Sequence, residues 1–347
     1  MRVGVLTGGG DCPGLNPAIR GLVLRGLDHG FQFVGLELGW KGLVDGLPTE
    51  LTLERVEEII RQGGTILGSS RTNPFKDDLD PLPAQKCLEN WRKLELDALV
   101  ALGGEDTLGV ANKFHLRHGL SVVGVPKTMD NDLNATDYTF GFDSAATVAM
   151  EAADRLFDTA KSHRRILILE VMGRHAGWVA LQVGVAAGAD WICLPEIPLD
   201  FPAMIAALRR KLERGKRWGL IVASEGTDTG AVDTEDLKVI DDFGHVSLAK
   251  REVGRFLEEE IKNALGIETR SVVLGHVQRG GPPSLFDRVL GTRVGIKAAD
   301  MVRDREFGQM AALRGTEIVA VDLAHAVGTL KTVPPALWQE VVSLINK

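Results

Sequence analysis

The sequence has little cysteine, no long apolar run and no excess of positive charge. Its three cysteines, Cys12, Cys87 and Cys193, are odd in number and lack metal-ligand spacing. A disulfide framework is thereby excluded, a zinc site is not expected, and the thiols read as reduced. The stretch MRVGVLTGGG enters a strand-like segment without the basic and apolar regions of a signal peptide. With no apolar stretch of about 18 residues to cross a bilayer, the expected setting is the cytoplasm, with no membrane partner. The formal net charge of −7 speaks weakly against nucleic acid as a partner. It does not exclude an anionic small substrate, which responds to the local field and not to the total.

Glycine, by contrast, is abundant: 40 of 347 residues, well above the usual share of about 7%. Such an excess points to tight turns or phosphate loops. The length allows two domains of about 150 to 200 residues each, and two lobes imply a cleft. Short apolar, β-branched segments at residues 3–7, 32–38, 98–102, 121–125, 166–171, 220–224, 272–274 and 318–321 read as strands. Segments of helical period at 53–61, 144–161, 175–187, 202–214, 248–265, 287–303 and 335–345 alternate with them. That alternation is the pattern of βαβ units and a parallel sheet.

The polar and glycine residues follow the strand ends. Thr7 leads into Gly8-Gly9-Gly10-Asp11, Leu102 into Gly103-Gly104-Glu105-Asp106, and Val125 into Pro126-Lys127-Thr128-Met129-Asp130-Asn131-Asp132. Val171 leads into Met172-Gly173-Arg174, Ser224 into Glu225-Gly226, and Leu274 into Gly275-His276-Val277-Gln278-Arg279. Ligands of open α/β sheets bind beyond the carboxyl ends of the strands, so these six loops are expected to converge on one rim.

Each loop carries a chemical reading and a plainer one. Glycines before a helix let backbone N–H groups approach phosphate oxygens; the first loop is otherwise a tight strand-to-helix turn. Carboxylates beside a phosphate site suggest Mg²⁺; alternatively Asp106 or Thr107 caps a helix that begins at Leu108. The third loop places a cation, a hydroxyl and two carboxylates within a few positions. Phosphoryl transfer to an alcohol needs a proton acceptor and positive charge on the donor oxygens, roles open to Asp130 and Lys127; the alternative is a solvated Asx-turn. Arg71, Arg165, Arg174, Arg270, Arg279 and Arg288 add guanidinium forks suited to phosphate, although a single surface arginine is usually just solvated.

Taken in order, these loops and Gly64-Thr65-Ile66-Leu67-Gly68-Ser69-Ser70-Arg71 resemble the phosphofructokinase family over nearly the whole chain. The resemblance implies two Rossmann-like, three-layer α/β domains with mostly parallel sheets and an active site in the cleft. It assigns residues 1–141 plus about 278–325 to a donor domain, and 142–277 plus about 326–347 to a fructose 6-phosphate domain. It also implies that Asp130 is the base for the sugar 1-hydroxyl, with Asp132 beside it, and that Thr128 and Arg174 contact the transferring group. Gly10, Arg71, Gly104, Asp106, Thr107 and Lys127 would meet the donor phosphates, and Glu105 would take the Mg²⁺-side role. Met172, Gly173, Glu225, His276 and Arg279 would hold the sugar phosphate. Arg165 and Arg270 would reach in from a neighbouring subunit, so a homodimer or homotetramer with shared sites is implied.

Three positions depart from the ATP-using pattern of that family. Asp106 and Lys127 stand where ATP users typically carry glycine, as in the pyrophosphate-using members, and Val110 also replaces a glycine. An aspartate there crowds and repels the α-phosphate of ATP, at a cost of about several kcal/mol when buried. Pyrophosphate is therefore the expected donor and ATP the alternative. A dinucleotide-binding dehydrogenase would need GxGxxG, which Asp11-Cys12-Pro13-Gly14 does not supply. A non-catalytic regulatory member of the family would have lost Asp130 or Arg174, and both are present.

Overall fold

The computed structural model describes residues 1–77, 79–230, 243 and 252–345. Its strands are β1 (Arg2–Thr7), β2 (Gln32–Leu36), β3 (Pro48–Glu50), β4 (Ala98–Gly103), β5 (Val122–Pro126), β6 (Ile166–Val171), β7 (Trp191–Cys193), β8 (Gly219–Ser224), β9 (Thr269–Val273), β10 (Gln309–Arg314) and β11 (Glu317–Asp322). The α-helices are α1 (Leu15–Asp28), α2 (Trp40–Asp45), α3 (Leu53–Val56), α4 (Leu82–Lys93), α5 (Glu105–His118), α6 (Phe142–His163), α7 (Trp178–Ala186), α8 (Phe201–Glu213), α9 (Val253–Leu265), α10 (Leu285–Arg303), α11 (Leu323–Gly328) and α12 (Pro335–Ile345). Residues 248–251 of the helix expected from 248 lie outside the described residues; its described part is α9. None of the described helices is long and apolar enough to cross a membrane.

The strands form two mostly parallel sheets, ordered β11-β10-β5-β4-β1-β2-β3 and β7-β8-β6-β9. The antiparallel pairings are β10 with β11 and β2 with β3, both at the margins of the first sheet. β1, β4, β5, β6 and β8 are apolar almost throughout because both faces of their sheets are covered. Alternate residues enter opposite cores. Val3, Val5, Val100 and Leu102 pack with Ile19 of α1 and Val294 of α10, while Leu6, Leu99 and Ala101 pack with Trp40 and Phe114 on the other face. In the second sheet Leu167 and Leu169 face the core of α6 and α7, and Ile166 and Ile168 that of α8 and α9.

Several boundaries differ from the sequence expectation. The strand expected at 272–274 is β9, ending at Val273, and Leu274 lies in the turn that follows. β3, β7 and β10 were not expected. α7 begins at Trp178 rather than 175, which leaves His175 in the loop beyond β6. α5 begins at Glu105 with Gly104 as its N-cap. Neither Asp106 nor Thr107 is therefore a cap; both stand in the first turn.

In the first sheet the chain runs outward from β1 to β2 and then returns to build β4 and β5 on the other side. The switch point lies between β1 and β4, whose following loops are neighbours there. In the second sheet β6 sits between β8 and β9, so their three loops are adjacent as well.

Candidate active site

The six loops meet, but from two sheets that present their carboxyl ends to a common space rather than from a single rim. They enclose a cavity of about 570 Å³. Beyond β1, Gly9 and Gly10 line it. Gly9 has φ +76, a left-handed value that favours glycine, and its N–H donates to the Ser70 carbonyl at 3.0 Å. A side chain on Gly10 would collide with Arg279, its Cβ falling 2.6 Å from Nη1. Arg279 Nη1 in turn donates to the Asp11 carbonyl at 3.0 Å. The first loop and the last are thus in direct contact across the cleft.

Beyond β4, Gly104, Glu105, Asp106 and Thr107 line the cavity at the start of α5, where the helix dipole favours negative charge. Thr107 is buried against the glycine loops. Lys127 follows β5 and is 4% exposed, with Nζ donating to the Gly10 carbonyl at 2.6 Å. Burial pulls its ammonium below the ordinary lysine range, opposed by nearby Asp11 and Asp132. Arg71 closes the same end of the space. This end therefore combines backbone N–H groups, a buried ammonium and two carboxylates.

The middle of the cavity belongs to the turn from Thr128 to Asp132. Thr128 Oγ1 donates to Asp132 Oδ1 at 2.9 Å and accepts from the Asp130 N–H at 3.1 Å. Asp130 is held at about 7, first by burial and then by the negative charge of Asp132 and Glu225, against the pull of Arg279 and Arg174. Its buried Oδ1 has no hydrogen-bond partner among the described residues. A buried acceptor left unmatched in a protein interior is costly, and Asp130 is among the residues that line the cavity.

The second sheet supplies Met172, Arg174, Glu225 and His276 to the opposite wall. Gly173 does not line the cavity; its φ of +143 and the closeness of Ser224 Oγ, 2.7 Å from a notional Cβ, make it the pivot between Met172 and Arg174. Arg165 and Arg270 are absent from the wall. Arg165 precedes β6 and Arg270 is the second residue of β9, both at the strands' amino ends, where each pairs with Glu268. Arg288 also stays apart, donating to the Pro283 carbonyl at 2.8 Å.

Glu170, His175, Glu252 and Leu330 line the cavity without having been expected to. Glu170 is the penultimate residue of β6, and its carboxylate accepts the Gly254 N–H at the start of α9 at 2.7 Å. Burial raises its pKa, countered by that bond. Leu330 arrives from the far end of the chain through a bridge to Leu133, a pairing with no local sequence signal. Val110, where ATP users typically carry glycine, is a buried core residue of α5 and is not among the residues that line the cavity.

Among the described residues no three His, Cys, Asp or Glu side chains gather into a preformed metal cage. Mg²⁺ commonly takes one or two carboxylates and completes its shell with phosphate and water oxygens. Glu105 and Asp106, side by side at the phosphate-type end, fit an ion that arrives with its phosphate.

Residues 2–302 match the family model described as phosphofructokinase. The chain is 50% identical over its whole length, and 99% of the relative's, to a protein of Dictyoglomus thermophilum named pyrophosphate--fructose 6-phosphate 1-phosphotransferase. It is 48% identical, over 98% of both chains, to one of Streptomyces coelicolor named ATP-dependent 6-phosphofructokinase 3. A crystal structure of the pyrophosphate-dependent phosphofructokinase from Marinobacter aquaeolei superposes with a TM-score of 0.81 at 22% identity, covering 100% of this chain and 92% of that one. The chain belongs to the phosphofructokinase family.

Proposed function

We propose that this protein transfers a phosphoryl group reversibly between pyrophosphate and O1 of fructose 6-phosphate, giving fructose 1,6-bisphosphate and phosphate. The observation that carries the choice of donor is the buried Lys127 ammonium against Gly10, with Asp106 in the adjacent first turn of α5. Lys127 supplies positive charge for an oxygen of a small diphosphate. Asp106 opposes the third phosphate that a nucleoside triphosphate would bring. The name of the Dictyoglomus thermophilum relative agrees with this donor; the Streptomyces coelicolor relative named for ATP, at similar identity, keeps ATP as the second reading.

In the proposed reaction the Asp130 carboxylate accepts the proton of the sugar 1-hydroxyl as that oxygen bonds to phosphorus and the bridging P–O bond of the donor breaks. The leaving group is phosphate. Thr128 and Arg174 contact the transferring group, and Lys127, Gly10, Arg71, Gly104 and Thr107 hold the donor. Mg²⁺ would be held through Glu105 and would offset charge on the phosphate oxygens, with Asp106 beside the donor. Met172, Glu225, His276 and Arg279 hold the sugar phosphate, with Gly173 setting the turn between them.

The first sheet with α10, β10 and β11 would form the donor domain, residues 1–141 and about 278–325. Residues 142–277 and about 326–347 would form the acceptor domain. Arg165 and Arg270, at the wrong end of their strands for their own cavity, would act in a neighbouring copy's site. β9 supports this arrangement, being an edge strand with Val272 exposed.

The test is turnover of fructose 6-phosphate with pyrophosphate and with ATP at equal Mg²⁺. The expected result is bisphosphate formed from pyrophosphate and, in reverse, pyrophosphate formed from bisphosphate and phosphate. No turnover with either donor would remove the proposal, and turnover with ATP alone would leave the second reading.

A further inference from the structure

The segment between α11 and α12 passes behind the turn that carries Asp130, and Lys331 lies at its centre. The Lys331 N–H donates to the Asp132 carbonyl at 2.7 Å, and its own carbonyl accepts from the Trp178 indole at 2.8 Å. Its ammonium donates to Asn131 Oδ1 at 3.0 Å and to the carbonyls of Thr136 and Asp137 at 3.0 and 2.9 Å. Those three bonds use all the donors an ammonium has.

Asn131, between the two aspartates, is buried with φ +51. Non-glycine residues adopt that left-handed backbone at a cost, asparagine less than most. The Oδ1 that Lys331 binds also accepts from the Thr139 N–H at 3.1 Å, while Thr139 Oγ1 donates to the Thr128 carbonyl at 2.6 Å. One amide oxygen, shared by Lys331 and Thr139, thus fixes the turn from both sides. Lys331 lines a separate cavity on the far side of the loop and is not on the wall of the main one, so it touches no reactant there.

The segment has its own anchor. The N–H groups of Val333 and Gly177 both donate to Glu196, at 2.9 Å each, tying it to the start of α7. The ammonium's three acceptors, in contrast, all belong to the loop. Loss of the ammonium should loosen the loop while the segment stays seated.

We infer that Lys331 is a positioning residue, whose ammonium holds the turn at Asn131 in the form that aims Asp130 at the acceptor hydroxyl. The inference rests on the function proposed above, because it concerns the loop that carries the proposed base. Burial lowers the Lys331 ammonium to about 8, with Asp137 and Asp132 opposing the shift and Arg314 adding to it. It is charged at neutral pH, and as pH rises through that value one acceptor loses its donor.

The experiment compares wild type with Lys331→Met, Lys331→Arg and Asp130→Asn in the full chain, with pyrophosphate saturating. Lys331→Met should lower kcat by about ten- to hundredfold, as misplacement of a reacting group does, with the calorimetric Kd for fructose 6-phosphate nearly unchanged. Wild type should lose kcat/KM as pH rises through about 8; Lys331→Arg should restore part of kcat and abolish that alkaline loss. A folded Lys331→Met enzyme with wild-type kcat would overturn the inference. So would a Lys331→Arg enzyme that loses activity at the same pH as wild type, a comparison that stands even if the methionine variant does not fold. Wild-type turnover in Asp130→Asn would instead remove the proposed function, and with it the base that Lys331 is said to aim.

Discussion

Asp130 is placed where its charge is expensive. Burial and two neighbouring carboxylates raise its pKa from 3.8 to about 7, which suits a base that must be available near neutral pH and still accept a proton. The linkage has a definite sign: the folded state binds the proton more tightly than the unfolded chain, so stability is fully present below about pH 4 and is lost as pH rises through about 7. Asp130→Asn should therefore raise the melting temperature at pH 8 more than at pH 5, by a gain on the order of a few kcal/mol at most. Thermal unfolding at the two pH values checks this; equal effects would mean that the carboxylate is not held up by its surroundings. Asp130→Ala should lower turnover by about a hundredfold or more with fructose 6-phosphate binding largely kept, measured by steady-state kinetics beside calorimetry.

At the scale of elements, the first unit depends on how closely α1 and α10 approach. A Cβ on Gly295 would fall 2.2 Å from the Ala18 carbonyl oxygen, and one on Gly21 2.4 Å from that of Thr292. Gly295→Ala should push the helices apart and cost about 1 to 3 kcal/mol, as overpacking does, read as a lower urea midpoint. An unchanged midpoint would show that the contact is not tight. The strands that could be read from sequence are those buried on both faces, such as β4 and β6, because such strands are unbroken apolar runs. β10, with its Gln-Met-Ala-Ala-Leu-Arg sequence, lacks β-branched residues, and β3 begins at a proline; their places are set by neighbours, not by local preference. Most site loops were legible because glycine and charge cluster directly after strands. Lys331 was not, since its bonds to Asn131, Thr136 and Asp137 span 200, 195 and 194 residues and leave no local trace.

For the whole molecule, two sheets facing across a cleft explain why one wall carries the phosphate-type groups and the other the arginine, histidine and glutamate suited to a sugar phosphate. Each wall is incomplete without the other, and Arg279, bonded to Asp11, joins them. If Arg165 and Arg270 complete a neighbouring copy's site, Asp130→Ala and Arg270→Ala chains, each impaired alone, should regain activity when refolded as a mixture, since one hybrid site then holds neither lesion. No recovery, or a monomer in sedimentation, would argue that each chain works alone. Donor choice is read from the ratio of kcat/KM for pyrophosphate to that for ATP, at equal Mg²⁺, in wild type and in Asp106→Gly. Wild type should favour pyrophosphate by about a hundredfold or more, and the glycine variant should lower the ratio at least about tenfold. A wild-type enzyme that prefers ATP, or a ratio indifferent to the loss of Asp106, would contradict this reading of the donor site.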